Sequence, residues 1–142
     1  MLEFINKNSF NDHDLFLLAQ ATSPLTETKD FDNAIQKLKN EKVDSLLTCV
    51  RIKRFFWNEN ALPINYDYKN RPRRQEFNGI LMENGSFYIN SIANIKKEKN
   101  RISGNISIYE MEEFKSVDID EENDWWIAEK IMEKHILNFN KG

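Results

Sequence analysis

Cysteine, histidine, glycine and proline are scarce in this 142-residue chain, with one, two, four and three copies. A single thiol, Cys49, closes no internal disulfide, and His13 and His135 lie too far apart for a zinc motif, which points to a reducing, cytoplasmic setting. No segment approaches the ~18 apolar residues needed to span a bilayer. Met1–Ser9 has no basic stretch followed by an apolar run, so neither a leader nor a membrane partner is expected. A basic excess is missing too. Lys+Arg number 20 against 23 Asp+Glu, a net charge of −3, which removes any global attraction to nucleic acid or anionic lipid. No repeat or low-complexity tract is present, and the sequons at Asn84 and Asn105 read as chance matches.

Large apolar side chains are well represented. With 40% hydrophobic residues, ten Phe, four Tyr and three Trp, the chain can build one core, and its length suits one domain, 1–142. Leu15–Ala19 is an unbroken apolar run, read as a strand buried on both faces, the kind usually found in parallel sheets. Phe31, Ala34, Ile35 and Leu38 repeat at helical spacing and predict a helix over 29–39. Ser45–Ile52 is rich in β-formers, so strand, helix and strand form a βαβ unit and set the class as α/β. Periodicity fails over 53–79, where Phe55, Phe56, Trp57, Tyr66 and Tyr68 alternate with Asn, Pro and Arg; this stretch is expected to be irregular. Strands are expected at Ile80–Met82, Ser86–Ile89 and Ile106–Glu110, with helices near 91–97 and 122–136. Asn84-Gly85 then reads as a hairpin turn between the first two of these strands.

Several segments can carry chemistry, and each has a plainer reading. Asp118-Ile-Asp120 places two carboxylates on one face of an extended segment, a pair suited to a hard cation such as Mg²⁺ that also keeps water and phosphate ligands; alternatively Asp120 caps the next helix and Asp118 is a solvated turn residue. Lys69, Arg71, Arg73 and Arg74 form either a grip on a carboxylate or phosphate or a solvated loop. Gln20–Ser23 follows the first strand, where open α/β sheets bind ligands, or is simply a polar loop. The aromatic run Phe55–Trp57 reads as a hydrophobic plug or subunit contact.

Taken in order, Leu17-Leu-Ala-Gln-Ala-Thr-Ser-Pro-Leu25, Arg73-Arg-Gln75, Glu83-Asn-Gly-Ser-Phe-Tyr-Ile89 and Ser116-Val-Asp-Ile-Asp120 resemble the ordered motifs of acylneuraminate cytidylyltransferases, the CMP-sialic acid synthetases. The resemblance implies a Rossmann-like nucleotidyltransferase fold: a mostly parallel sheet with flanking helices, here without its N-terminal strands. An α/β core over 1–52 and 80–142 would carry an irregular dimerisation and substrate extension at 53–79. It implies transfer of CMP from CTP to a sialic acid or related nonulosonic acid, with Mg²⁺ as cofactor, pyrophosphate as product and a homodimer as the assembly. Asp118 and Asp120 would hold the metal, and Arg74 would act with them in catalysis. Gln20, Thr22, Ser23, Arg73, Gln75, Asn84 and Tyr88 would bind substrate. The Gly- and Lys-containing loop that cradles the CTP phosphates in that family has no counterpart here. The resemblance therefore implies either an enzyme that needs a separate N-terminal portion, docking beside Phe16 and Leu18 on the strand 15–19, which by itself would stand as a sheet edge with bare apolar surface, or a non-catalytic remnant kept for dimerisation or sugar binding.

Overall fold

The computed structural model describes residues 1–137. Its elements run α1 (Leu2–Lys7), β1 (Leu15–Ala19), α2 (Thr28–Glu41), β2 (Ser45–Ile52), β3 (Ile80–Ser91), α3 (Ile92–Glu98), β4 (Ile106–Met111) and α4 (Glu122–Met132). A 3-10 turn at Glu113–Ser116 and a π-helical turn at Glu133–Leu137 complete the path. The sheet order is β1-β3-β2-β4. β2 and β4 pair in parallel, while β3 runs antiparallel to both β1 and β2. Three of the four strands thus share one direction, and β3 is inserted between the two strands of the βαβ unit.

Strand alternation divides the core. On one face, Phe31, Ala34, Ile35 and Leu38 of α2 pack on Leu46, Val50, Phe87, Ile89 and Met111, with the Phe31 and Phe87 rings 4.8 Å apart. The fully buried Leu46, Val50, Phe87 and Ile89 each contribute about 1.5–3 kcal/mol. On the other face, Ile5 of α1 meets Ile92 and Ile95 of α3 over Phe16. Leu47, Cys49 and Tyr88 gather Leu18, Leu81 and Ile102 beside them. α2 stops at Lys42, in the left-handed conformation with φ 53°, and its N–H bonds back to Leu38.

Two expectations are corrected here. β1 is not a doubly buried strand with parallel neighbours. Among the described residues it is an edge strand, half-buried along its middle and antiparallel to its one partner. Phe16 is partly covered by α1 and α3, Leu18 packs with Tyr88 and Ile102, and the more exposed apolar groups nearby are Leu15 and Phe4. Asn84-Gly85 is not a hairpin turn either: β3 runs straight through it for 12 residues. The register passes from Leu47↔Tyr88 to Cys49↔Glu83, so Thr48 alone faces four residues of β3, and the dipeptide forms an enlarged β-bulge. Gly85 supplies the positive φ, 69°, that the bulge requires. The Thr48 hydroxyl, fully buried, lies 3.3 Å from both the Phe87 N–H and its carbonyl, and so satisfies the backbone that the bulge leaves out of the ladder.

The irregular reading of 53–79 agrees with the structure, which has no helix or strand there beyond a bridge between Trp57 and Pro63. Its aromatics pack on one another: Phe55 lies 4.4 Å from Tyr66 and 4.9 Å from Phe77, and Arg71 sits 4.6 Å over the Phe55 ring. Among the described residues, no helix is long and apolar enough to cross a membrane.

Candidate functional site

The bulge brings three separate segments to the C-terminal ends of β1 and β4. The loop after β1 is tied to it by the Gln20 N–H on the Ser86 carbonyl, 3.0 Å. The segment after β4 is tied by Asn84, whose Nδ2 donates to the Lys115 carbonyl at 3.1 Å and to Ser86 Oγ at 2.9 Å. The two segments meet each other where the Ile119 N–H donates to the Thr22 carbonyl, 2.9 Å. Thus Gln20, Thr22, Ser23, Asn84 and Asp118, all named from the sequence, fall at one end of the sheet.

Three side-chain oxygens of this cluster are buried and have no hydrogen-bond partner: Ser23 Oγ, Asn84 Oδ1 and Asp118 Oδ1. A buried polar oxygen left unpaired costs about 1–3 kcal/mol, so three of them on segments that meet at one end of the sheet make this end the candidate site. Asp118 Oδ1 is the kind of hard oxygen that Mg²⁺ takes. Asp120 is exposed, and it does not cap α4. That position belongs to Glu121, and Asp124 receives both the Glu121 N–H at 2.9 Å and the Asp120 N–H at 3.1 Å. No group of three or more His, Cys, Asp or Glu able to hold a metal occurs among the described residues, so a cation here would rely on the two aspartates together with substrate or water oxygens.

Tyr88 sits differently from Asn84. Its ring is buried on the α1–α3 face, and its hydroxyl donates to Glu83 at 2.5 Å. Burial and then the Glu83 carboxylate push its pKa up to about 12, so the phenol keeps its proton. Arg101 lies 4.2 Å over the ring and 3.4 Å from Glu83. Gln20 reaches this group from the loop side: a Cβ on Gly85 would stand 3.9 Å from Gln20 Nε2 and 3.7 Å from the Tyr88 hydroxyl.

Arg73, Arg74 and Gln75 are not brought to this cleft within the chain. β2 and β3 continue past the last β1 pair, Ala19↔Phe87, to Ile52↔Ile80, with β4 beside β2 only as far as Val50↔Met111. From Thr48 to Ile52 that is roughly 13 Å of strand rise, and the basic segment lies beyond its end. There Lys53, Arg54, Phe55 and residues 71–75 line an open cavity of about 990 Å³, with all three site residues exposed.

Reading the sequence alone missed Lys115. Its ammonium is fully buried and bonded to Glu27 at 2.7 Å, Asp30 at 2.7 Å and Glu112 at 3.2 Å. Burial opposes its charge, but these three carboxylates override it and hold the group above the ordinary lysine range. The available signal was local: Glu27 and Asp30 stand three apart at the start of a helix, and Lys115 stands three before Asp118.

No protein-family model matches the chain. It is 38% identical over 124 residues to an N-acylneuraminate cytidylyltransferase of Oncorhynchus mykiss, and 36% identical over 124 residues to the A and B forms of Danio rerio. These alignments take in 82% of this chain but only 28–29% of the relatives, so the chain spans less than a third of the length of the curated proteins it matches. Its fold is similar to the crystal structure of 4-diphosphocytidyl-2C-methyl-D-erythritol synthase from Anaerococcus prevotii. The TM-score is 0.62 at 12% identity, covering 93% of this chain and 64% of that one. The four motifs and these alignments agree: in sequence the chain is similar to one portion of the N-acylneuraminate cytidylyltransferases, and it has a nucleotidyltransferase-like α/β fold.

Proposed function

We propose that this chain is the part of a cytidylyltransferase that binds the acceptor sugar and the metal, in an enzyme that transfers CMP from CTP to a sialic acid or related nonulosonic acid. In that reaction the anomeric hydroxyl attacks the α-phosphorus and pyrophosphate leaves. The observation that carries the reading is the meeting of three distant segments at the strand ends, through Gln20–Ser86, Asn84–Lys115 and Ile119–Thr22, each segment bearing a buried oxygen without a partner. Asp118 and Asp120 would hold Mg²⁺, which when bound offsets triphosphate charge. Gln20, Thr22 and Ser23 offer hydrogen bonds to a polyhydroxylated acceptor, while Asn84 fixes the loop against the segment carrying Asp118. Arg73, Arg74 and Gln75, far from the cleft of their own chain, would act on the cleft of a second copy, where guanidinium forks suit a carboxylate or phosphate. The exposed Trp57, Leu62, Ile64 and Tyr68 of the extension supply the apolar surface for that dimer. The free, buried Cys49 fits a cytoplasmic setting.

The CTP phosphates would be held by a separate N-terminal portion added along the β1 edge. The test is pyrophosphate release from CTP, Mg²⁺ and a sialic acid, by this chain alone and with that portion added. Turnover is expected only in the mixture, and Asp120→Ala should abolish it. Turnover by the chain alone overturns the need for a second portion. A mixture that binds both substrates without turnover favours a non-catalytic remnant. Sedimentation velocity at micromolar concentration should show a dimer, and a monomer would refute the shared cleft.

A further inference from the structure

Lys115 touches all three segments of the cleft. Its ammonium joins Glu27 and Asp30, which close the 20–27 loop onto α2, and Asp30 Oδ2 also receives the Glu27 N–H at 2.8 Å. Its carbonyl accepts from Asn84 Nδ2 at 3.1 Å, which pins the bulge. The segment it begins runs three residues on to Asp118, whose neighbour Ile119 bonds to Thr22. With its side chain fully buried, Lys115 has no surface role. A buried ammonium facing three carboxylates is costly to desolvate, and such groups can specify one arrangement of the chain rather than add stability.

We infer that Lys115 is a positioning residue for the cleft: it sets the distance between the Ser23 loop, the Asn84 bulge and the Asp118 segment without touching substrate. The inference rests on the proposed function only for what the cleft binds; the positioning itself is tested separately.

The experiment uses the whole chain, with Mn²⁺ as the probe read by electron paramagnetic resonance and amide hydrogen exchange as the structural readout. Lys115→Met, of similar length and without charge, should speed exchange of the Ile119 amide at least tenfold relative to the Leu46 and Val50 amides of the core. It should weaken Mn²⁺ binding at least tenfold, while Lys115→Arg restores most of both. Equal exchange at Ile119 in a folded Lys115→Met protein overturns the inference. If Lys115→Met does not fold, Glu112→Gln removes one contact from the exposed side; a rise of about threefold at Ile119 supports the inference and no rise overturns it. Absence of Mn²⁺ binding by the unaltered chain refutes the metal assignment but not the positioning, which the exchange data then decide alone.

Discussion

Replacing Ser23 with alanine should stabilise the protein, because its hydroxyl is buried without a partner. Leaving such a group unpaired costs about 1–3 kcal/mol. The local backbone does not depend on it: the Ser23 N–H bonds to Gln20 at 3.3 Å, and the Ser23 carbonyl accepts from Thr26 Oγ1 at 3.2 Å, both retained in alanine. Allowing for the dispersion attraction that disappears with the oxygen, a net gain of about 0.5–1.5 kcal/mol is expected. For a chain of this size the unfolding entropy is near 0.3 kcal/mol per kelvin, so the midpoint should rise by about 2–5 °C. Thermal and urea melts of the two proteins measure it. Asn84→Ala is the opposing control. It removes a donor that serves Ser86, Lys115 and, at 3.4 Å, the Met111 sulfur, and should cost about 1–3 kcal/mol. A Ser23→Ala protein less stable than the original by more than about 0.5 kcal/mol would show that the hydroxyl is bonded in the native fold, and the argument from unpaired oxygens would fail.

Two further perturbations examine the sheet and the Lys115 cluster. Gly79→Ala should be more damaging than Gly85→Ala: both demand positive φ, 72° and 69°, worth about 1–2 kcal/mol of strain. At Gly79 a Cβ would also stand 2.4 Å from the Ile52 carbonyl oxygen, whereas at Gly85 it meets nothing closer than 3.7 Å, and equal urea midpoints would refute the difference. Stability should also fall in acid through Glu27, whose pKa is lowered from 4.5, first by its bond to Lys115 and then by Lys29. A carboxylate depressed on folding contributes fully above its unfolded value and loses that contribution as pH falls through the folded one, so urea midpoints should drop below about pH 4.5. Lys115→Met should flatten that limb; an unchanged slope would remove Glu27 as its source.

Elements with local signals were legible before any coordinates. The α2 stripe of Phe31, Ala34, Ile35 and Leu38 repeats at helical spacing, and the β2 segment is continuous in β-formers, so each declares its structure without help from the rest of the chain. The four motifs likewise carried the family likeness, since residue identity and order need no coordinates. Pairing was another matter. β1 reads as a buried strand because Leu15–Ala19 is apolar throughout, yet strand neighbours are chosen by how the chain returns, and β3 returns antiparallel between β1 and β2. Asn84-Gly85 has turn composition, but positive φ at Gly85 serves a bulge as well as a turn. The choice fell to Thr48, 36 residues earlier, whose hydroxyl satisfies the displaced backbone. Lys115 shows the same limit in electrostatic form. A lysine in a polar segment looks solvent-bound, and only the fold brings to it Glu27 and Asp30, 85 residues away in the case of Asp30, making the charge a buried tie between the segments of the cleft.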